Sequence, residues 1–306
     1  MLFMDNLIEF EDLKDIFKRN TSKKIFNNKK ILITGCGGFI GYYLSKYFIN
    51  YYKSLKIKKL YITSLNTKRF KKYQNSKIKV VNFDIAKDNL KKLKSEFDII
   101  IHAASIASPT FYRAKPIETM DANVVGLRKI LDFSKNKKKV KVLYFSSSEI
   151  YGDAHSNFIP TKETYFGNVN PVGPRACYDE SKRFCETICY EYSKKYKNIA
   201  ISVVRPFNNF GPGMSIYDAR IPADLAKNVL KRKNFIIYSD GSPKRTFCYI
   251  SDAIVGYLNS LNVKKFEVLN IGSIEEMSIK KFAELYQKAA NEVFNFKPKI
   301  IFKKHK

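Results

Sequence analysis

The sequence predicts an α/β fold, a doubly wound parallel sheet (Rossmann type) with a smaller C-terminal substrate lobe. Three observations predict it. Short apolar, β-branched runs alternate with amphipathic helical stretches over residues 30–205, the pattern of parallel βαβ units. The first such run, Ile31, Leu32, Ile33 and Thr34, enters glycines at Gly35, Gly38 and Gly41, and a helical pattern of Tyr42, Leu44, Tyr47 and Phe48 follows. No repeat or linker interrupts the alternation, and 306 residues at 45% hydrophobic content are ample for one large core and a lobe.

Taken in order, residues 6–20 place Leu7, Ile8, Phe10, Leu13, Ile16 and Phe17 at helical spacing, so a helix precedes the first strand. It is expected on the core or on a partner subunit. After the glycine turn and its helix, strands are expected at 57–63, 78–83, 97–102, 140–146 and 199–205. Between them the pattern predicts helices at about 67–74, 87–95, 115–136 and 178–197. From Phe207 the pattern changes. A turn at Gly211, Pro212 and Gly213 leads to helices at about 219–233 and 278–294, with short strands around 236–238 and 247–250. The organisation read from this is an N-terminal extension (1–28), a dinucleotide-binding domain (29–206) and a substrate lobe (207–306) partly interleaved with it.

Composition excludes several classes. A formal charge of +28 invites a nucleic-acid partner, but the lysines are spread over every helix and loop rather than gathered in a stripe. A general drift toward Lys, Asn and Ile explains the basic balance, and the positive field favours anionic small substrates. The five cysteines form no CxxC pair and have no His at ligand spacing, so no metal site is expected and reduced thiols in a cytoplasmic protein are the economical reading. Cys185 and Cys189, four apart on a helical pattern, read as packing. Neither a signal peptide nor a membrane span is expected.

Two stretches carry chemistry. Ser146, Ser147, Ser148, Glu149, Ile150 and Tyr151 stand at the carboxyl end of the fifth strand. Pro174 to Arg183 opens the next helix and contains Tyr178 and Lys182, four apart and therefore on one face. A phenol is too weak an acid to serve as a base near neutrality unless a cation stabilises its phenolate. A serine at a neighbouring strand end can bond the same substrate oxygen. Such a Tyr/Lys pair alone is more often a solvated helix face. With the glycine turn and the serine run in this order, it reads as a catalytic group.

These residues resemble the extended short-chain dehydrogenase/reductase family of nucleotide-sugar epimerases, dehydratases and decarboxylases, over about residues 29–272. Residues 31–41 resemble its TGxxGFIG turn, which implies cofactor contacts at Gly35, Gly38, Phe39, Ile40 and Gly41. His102, Ala103 and Ala104 resemble its HxAA stretch, and Asp84 with Ile85 its adenine-contacting pair. Ser147, Tyr178 and Lys182 stand at its catalytic Ser/Thr, Tyr and Lys. Arg205, Pro206, Phe207 and Asn208 resemble the segment that meets nicotinamide and sugar diphosphate. Within the family, residues 170–183 and Ser147, Ser148 and Glu149 are similar to the UDP-glucuronate decarboxylase subgroup. So are residues 240–249, whose Arg245 stands at an arginine implicated in catalysis there. Ser148 stands where a dTDP-glucose 4,6-dehydratase carries Asp. GDP-mannose 4,6-dehydratases share Thr-Ser-Glu, so a 4,6-dehydratase or a 4-epimerase stays open, as does a non-catalytic dinucleotide-binding regulator.

The resemblance implies a UDP-sugar substrate, NAD recycled within one turnover, and a homodimer through the helices at 115–136 and 178–197. Arg220 is a candidate diphosphate contact, weighed against a plain surface charge; Arg245 is weighed against an ion-pair partner, and Glu149 against a backbone cap. Two departures stand out. The second strand should end in an acid for the adenosine ribose, yet residues 61–69 contain none. Their hydroxyls with Lys68 and Arg69 leave NADP open beside NAD. The chain also stops at Lys306, before the subgroup's usual C-terminal helices. The expectation is a truncated product, or a pocket closed by the N-terminal helix or a partner subunit.

Overall fold

The computed structural model describes residues 2–303, with side chains from residue 7 onward. It opens with α1 (Leu2–Arg19), then β1 (Lys30–Thr34), α2 (Phe39–Tyr51), β2 (Lys59–Ser64), β3 (Ile78–Asn82) and β4 (Ile99–His102). Two short helices, α3 (Pro109–Ala114) and α4 (Pro116–Met120), lead through a π-type turn (Asp121–Val125) into α5 (Gly126–Ser134). Then come β5 (Val140–Phe145), α6 (Ala176–Lys195), β6 (Ile199–Pro206), β7 (Asn209–Phe210), α7 (Ile221–Leu230) and β8 (Phe235–Ile237). The chain finishes with β9 (Lys244–Thr246), β10 (Cys248–Tyr249), α8 (Ile250–Ser260), β11 (Phe266–Ile271), β12 (Glu276–Ser278), α9 (Ile279–Phe294) and β13 (Ile300–Phe302).

Seven parallel strands form the main sheet in the order β11-β6-β5-β4-β1-β2-β3. The order reverses between β1 and β4, and a ligand crevice opens at the carboxyl ends of strands at such a switch point. Alternate residues serve opposite faces. Ile31, Ile33, Ile99 and Ile101 join the layer built with α1, α2 and α8, while Leu32, Ile100, Val142 and Tyr144 join the layer with α5 and α6. Cys185 and Cys189 are buried in that second layer as free thiols, the Cys185 thiol donating to the Asn123 carbonyl (3.3 Å).

The N-terminal helix lies on the core. Leu13 and Ile16 are buried against α2 and α8. Asp12 accepts from Tyr43 (3.0 Å) and Tyr249 (3.1 Å), Glu9 pairs with Lys46 (2.7 Å), and Arg19 pairs with Asp252 (2.7 Å).

Several expected elements differ. The helix expected at 87–95 shrinks to a single 3-10 turn, Leu90–Leu93, because only those two leucines are buried and Lys94 turns left-handed with φ 47°. The helix expected at 115–136 is broken: Pro116 has no N–H to continue α3, and the π-type turn inserts an extra residue. That turn carries Asn123 into the protein, where its amide donates to Ser181 (2.8 Å). Residues 250–271, where no element was expected beyond residue 250, hold α8 and the edge strand β11, and so rejoin the main sheet. The remaining lobe has its own small core of Leu225, Phe235, Ile237, Phe247, Phe282 and Ala290.

Candidate active site

The glycine turn follows directly from β1. Gly35 has φ +78°, and a Cβ there would sit 2.6 Å from the carbonyl of Ala103, so β1 and β4 approach as closely as bare backbones allow. At Gly41 a Cβ would run into the Gly35 carbonyl oxygen, which folds the turn back over the first turn of α2. Gly38 caps α2 without a side-chain bond, leaving its first amides free, and Phe39 and Ile40 lie half-buried on the core. A helix N-terminus with free N–H groups and no side chain in front of it fits a pyrophosphate. Ala103 and Ala104 continue this floor from β4. Asp84 caps its own loop, accepting from the Ala86 amide (2.9 Å), and Ile85 is buried against Gly126. His102, behind the floor, bonds Thr34 (2.8 Å); burial, with the Lys182 charge, lowers its pKa to about 3 and keeps it neutral.

Beyond β5 the chemistry-bearing side chains converge. Ser147 is buried, caps the 3-10 turn Ser148–Tyr151, and accepts from the Glu149 amide (3.2 Å). Tyr178, in the first turn of α6, is buried and stacked on Tyr112 with ring centres 5.0 Å apart. Burial pushes its phenol up, while its bond to Ser147 and the Arg220 charge pull it down. Lys182 is buried one turn on, 5.7 Å from the Tyr178 ring centre, and donates to the Phe145 carbonyl (2.7 Å). Burial lowers its pKa to about 8. The sequence places Lys182, with an oxidised nicotinamide, as the cations that hold the phenol down; the structure sets the Lys182 ammonium beside the Tyr178 ring, and the Arg220 charge acts on the phenol in the same direction.

The lobe supplies the other wall. A cavity of about 160 Å³ is lined by Asn208, Met214, Arg220, Arg245 and Phe247. Asn208, just after Pro206 at the end of β6, donates to the Thr246 carbonyl (2.9 Å), which ties it to β9. Arg220 forms a two-pronged pair with Asp218, so it is no free surface charge. Arg245, on β9, bonds only the Lys244 carbonyl (2.7 Å) and has no acidic partner among the described residues. Among the described residues, no α1 side chain lines this cavity. Arg205 turns inward: it grips Glu186 (2.6 Å) and Tyr151 (2.6 Å) and braces the end of β6.

Two residues at the site escaped the sequence reading. Arg175, just before α6, pairs with Glu149 and with buried Asp179 (3.3 Å), so Glu149 is oriented by a guanidinium rather than by backbone. The four-residue spacing from Arg175 to Asp179 was the available signal. Tyr112 left none, since its meeting with Tyr178 depends on how α3 packs on α6.

Residues 31–272 match the NAD dependent epimerase/dehydratase family. The chain belongs to that family. It is 35% identical over 261 residues to UDP-glucuronic acid decarboxylase 1 of Xenopus tropicalis, covering 85% of this chain and 60% of the relative. It is 33% identical to UDP-glucuronic acid decarboxylase 6 of Arabidopsis thaliana, over 86% of this chain and 75% of the relative. The chain thus spans about three-fifths of the length of some of the curated relatives it matches. Among solved structures, the fold is shared with a UDP-N-acetylglucosamine 4-epimerase of Methanobrevibacter ruminantium (TM-score 0.77, 22% identity, 92% of this chain and 86% of that one). A UDP-glucuronic acid 4-epimerase of Bacillus cereus, solved with UDP-glucuronic acid and NAD, matches with TM-score 0.69 at 25% identity over 90% of this chain and 86% of that one.

Proposed function

We propose that this chain is an NAD-dependent UDP-glucuronate decarboxylase. The observation that carries the reading is a cavity lined by both Arg220 and Arg245, one cation already neutralised by Asp218 and the other with no acidic partner among the described residues. A nucleotide-sugar uronate brings two kinds of anion. Arg220 and Asn208 suit the diphosphate; the unpaired Arg245 suits the C5 carboxylate. The names of the relatives at 30–35% identity support the same substrate.

Gly35, Gly38 and Gly41, with the amides of Phe39 and Ile40, would hold the dinucleotide pyrophosphate, and Ala103, Ala104, Asp84, Ile85 and Pro206 would border it. Bound NAD supplies reversible hydride acceptance at sugar C4. Tyr178 takes the 4-hydroxyl proton, and Ser147 bonds the same oxygen and keeps it in line. With C4 a ketone, the carboxylate at C5 is a β-keto acid: the C5–carboxyl bond breaks, CO₂ leaves, and the electron pair passes to the C4 oxygen. Arg245 holds the carboxylate until then, and Glu149, oriented by Arg175, positions with Ser148 the water that reprotonates C5. Tyr178 returns its proton when the ketone is reduced, so no net redox change remains. The protein is read as a cytoplasmic homodimer, through the face of α4, α5 and α6 that exposes Ile117, Met120 and Phe184.

The test is direct. The protein is incubated with UDP-glucuronate, UDP-glucose or GDP-mannose and NAD, and the products are followed by NMR. UDP-xylose with CO₂ release supports the reading. UDP-galacturonate would make it a 4-epimerase, and a 4-keto-6-deoxy sugar a dehydratase.

A further inference from the structure

The adenosine end of the cofactor crevice has a different character from the rest. An acid at the end of the second strand selects NAD twice over: it accepts from both ribose hydroxyls, and its charge repels a 2′-phosphate. Here β2 ends in Ser64, and its hydroxyl lies against the glycine turn, 2.8 Å from where a Cβ on Gly37 would stand. Leu65 is exposed and Asn66 spends its side-chain oxygen on the Lys68 amide (3.0 Å). Thr67 is buried and bonded to Asn82. Nothing negative faces the ribose position from this loop.

What does stand beside it is cationic. Arg69 is exposed, with its guanidinium 4.4 Å from the centre of the Tyr42 ring in the first turn of α2, which holds it beside the helix start. Among the described residues neither Arg69 nor Lys68 forms an ion pair. Glu9, which accepts from the Tyr42 hydroxyl (2.6 Å), is paired with Lys46.

We propose that Ser64 and Arg69 form a 2′-phosphate subsite, so that this chain binds NADP(H) as well as NAD(H). The inference rests on the dinucleotide reading of the site and deepens it. Ser64 supplies a neutral donor where an acid would repel, and Arg69 a planar cation suited to a phosphate. An enzyme that returns its hydride within one turnover gains nothing from excluding the phosphorylated cofactor, so the tolerance fits the proposed cycle.

The test measures binding without substrate, by titrating the whole protein with NADH and NADPH and following nucleotide fluorescence. Dissociation constants within about tenfold of each other support the subsite, provided Arg69→Ala weakens NADPH by about tenfold or more and leaves NADH within about twofold. Ser64→Asp should restore discrimination against NADPH by at least that factor. NADH binding with NADPH at least a hundredfold weaker overturns the inference and leaves the dinucleotide reading intact. So does an NADPH affinity indifferent to Arg69→Ala. Failure of both nucleotides to bind overturns the dinucleotide reading itself.

Discussion

Replacing Lys182 with methionine separates what the site needs from what the fold prefers. The lysine is 2% exposed, and burial lowers its pKa from 10.5 to about 8. Below pH 8 the folded protein therefore holds a charge it would rather leave in water, and the difference between those values corresponds to roughly 3 kcal/mol of lost stability. Methionine is of similar length and removes that cost. It also removes the donor to the Phe145 carbonyl, worth about 1 kcal/mol. The net expectation at pH 7 is a gain of about 2 kcal/mol together with loss of turnover. The sign with pH follows. Between 8 and 10.5 the unfolded chain carries the lysine proton and the folded chain has released it, so the unmodified protein gains stability as pH rises through that window. The advantage of Lys182→Met should accordingly shrink to about zero near pH 9.5. Urea unfolding of both proteins at pH 7 and 9.5 measures it. A variant less stable than its parent at pH 7, or a gain that does not change with pH, would refute the argument that Lys182 is a charge buried against the preference of the fold.

Tyr178→Phe keeps the stack on Tyr112 and removes only the phenolic oxygen; turnover should fall by at least about a hundredfold while UDP still binds, as checked by calorimetry beside the product assay. Arg245→Met should weaken UDP-glucuronate by about 10- to 100-fold and leave UDP-glucose unchanged, because only the former loses a charge-assisted bond; equal loss for both sugars would return Arg245 to a structural role. Ile16→Ala, at a fully buried position on the inner face of α1, should lower unfolding free energy by about 2–4 kcal/mol, read by urea titration, with saturated turnover unchanged because no described side chain of α1 lines the cavity.

Much of the fold could be read along the chain because a parallel strand buried on both faces is a short continuous apolar run, and β1, β4 and β5 are such runs. Where the reading failed, competing interactions decided. The lysine-rich stretch at 87–95 has too narrow an apolar stripe for a helix, with Leu90 and Leu93 alone turned inward. The long stretch at 115–136 has the right periodicity, but Pro116 and the burial of Asn123 against Ser181 break it. The helix α8 was missed in the sequence although Ile250, Ala253, Ile254, Tyr257 and Leu258 repeat at helical spacing. The placement of β11 was not legible, because an edge strand takes its partner from the far side of the domain.

The sequence by itself determined the glycine turn, the shared face of Tyr178 and Lys182, and the missing acid after β2, since each depends on neighbours within about one helical turn or one strand. Tertiary structure alone decided which charges are free. Arg220 and Arg245 look alike in the chain, yet one is neutralised by Asp218 and the other is left open beside Asn208. It also decided that Arg175 orients Glu149, that Tyr112 backs Tyr178, and that Lys182 donates to the carbonyl at the end of β5. The physical reason is that an ion pair or a stack needs two groups within a few ångströms. Between residues far apart in the chain, only the packing of the lobe and helices on the sheet brings that about.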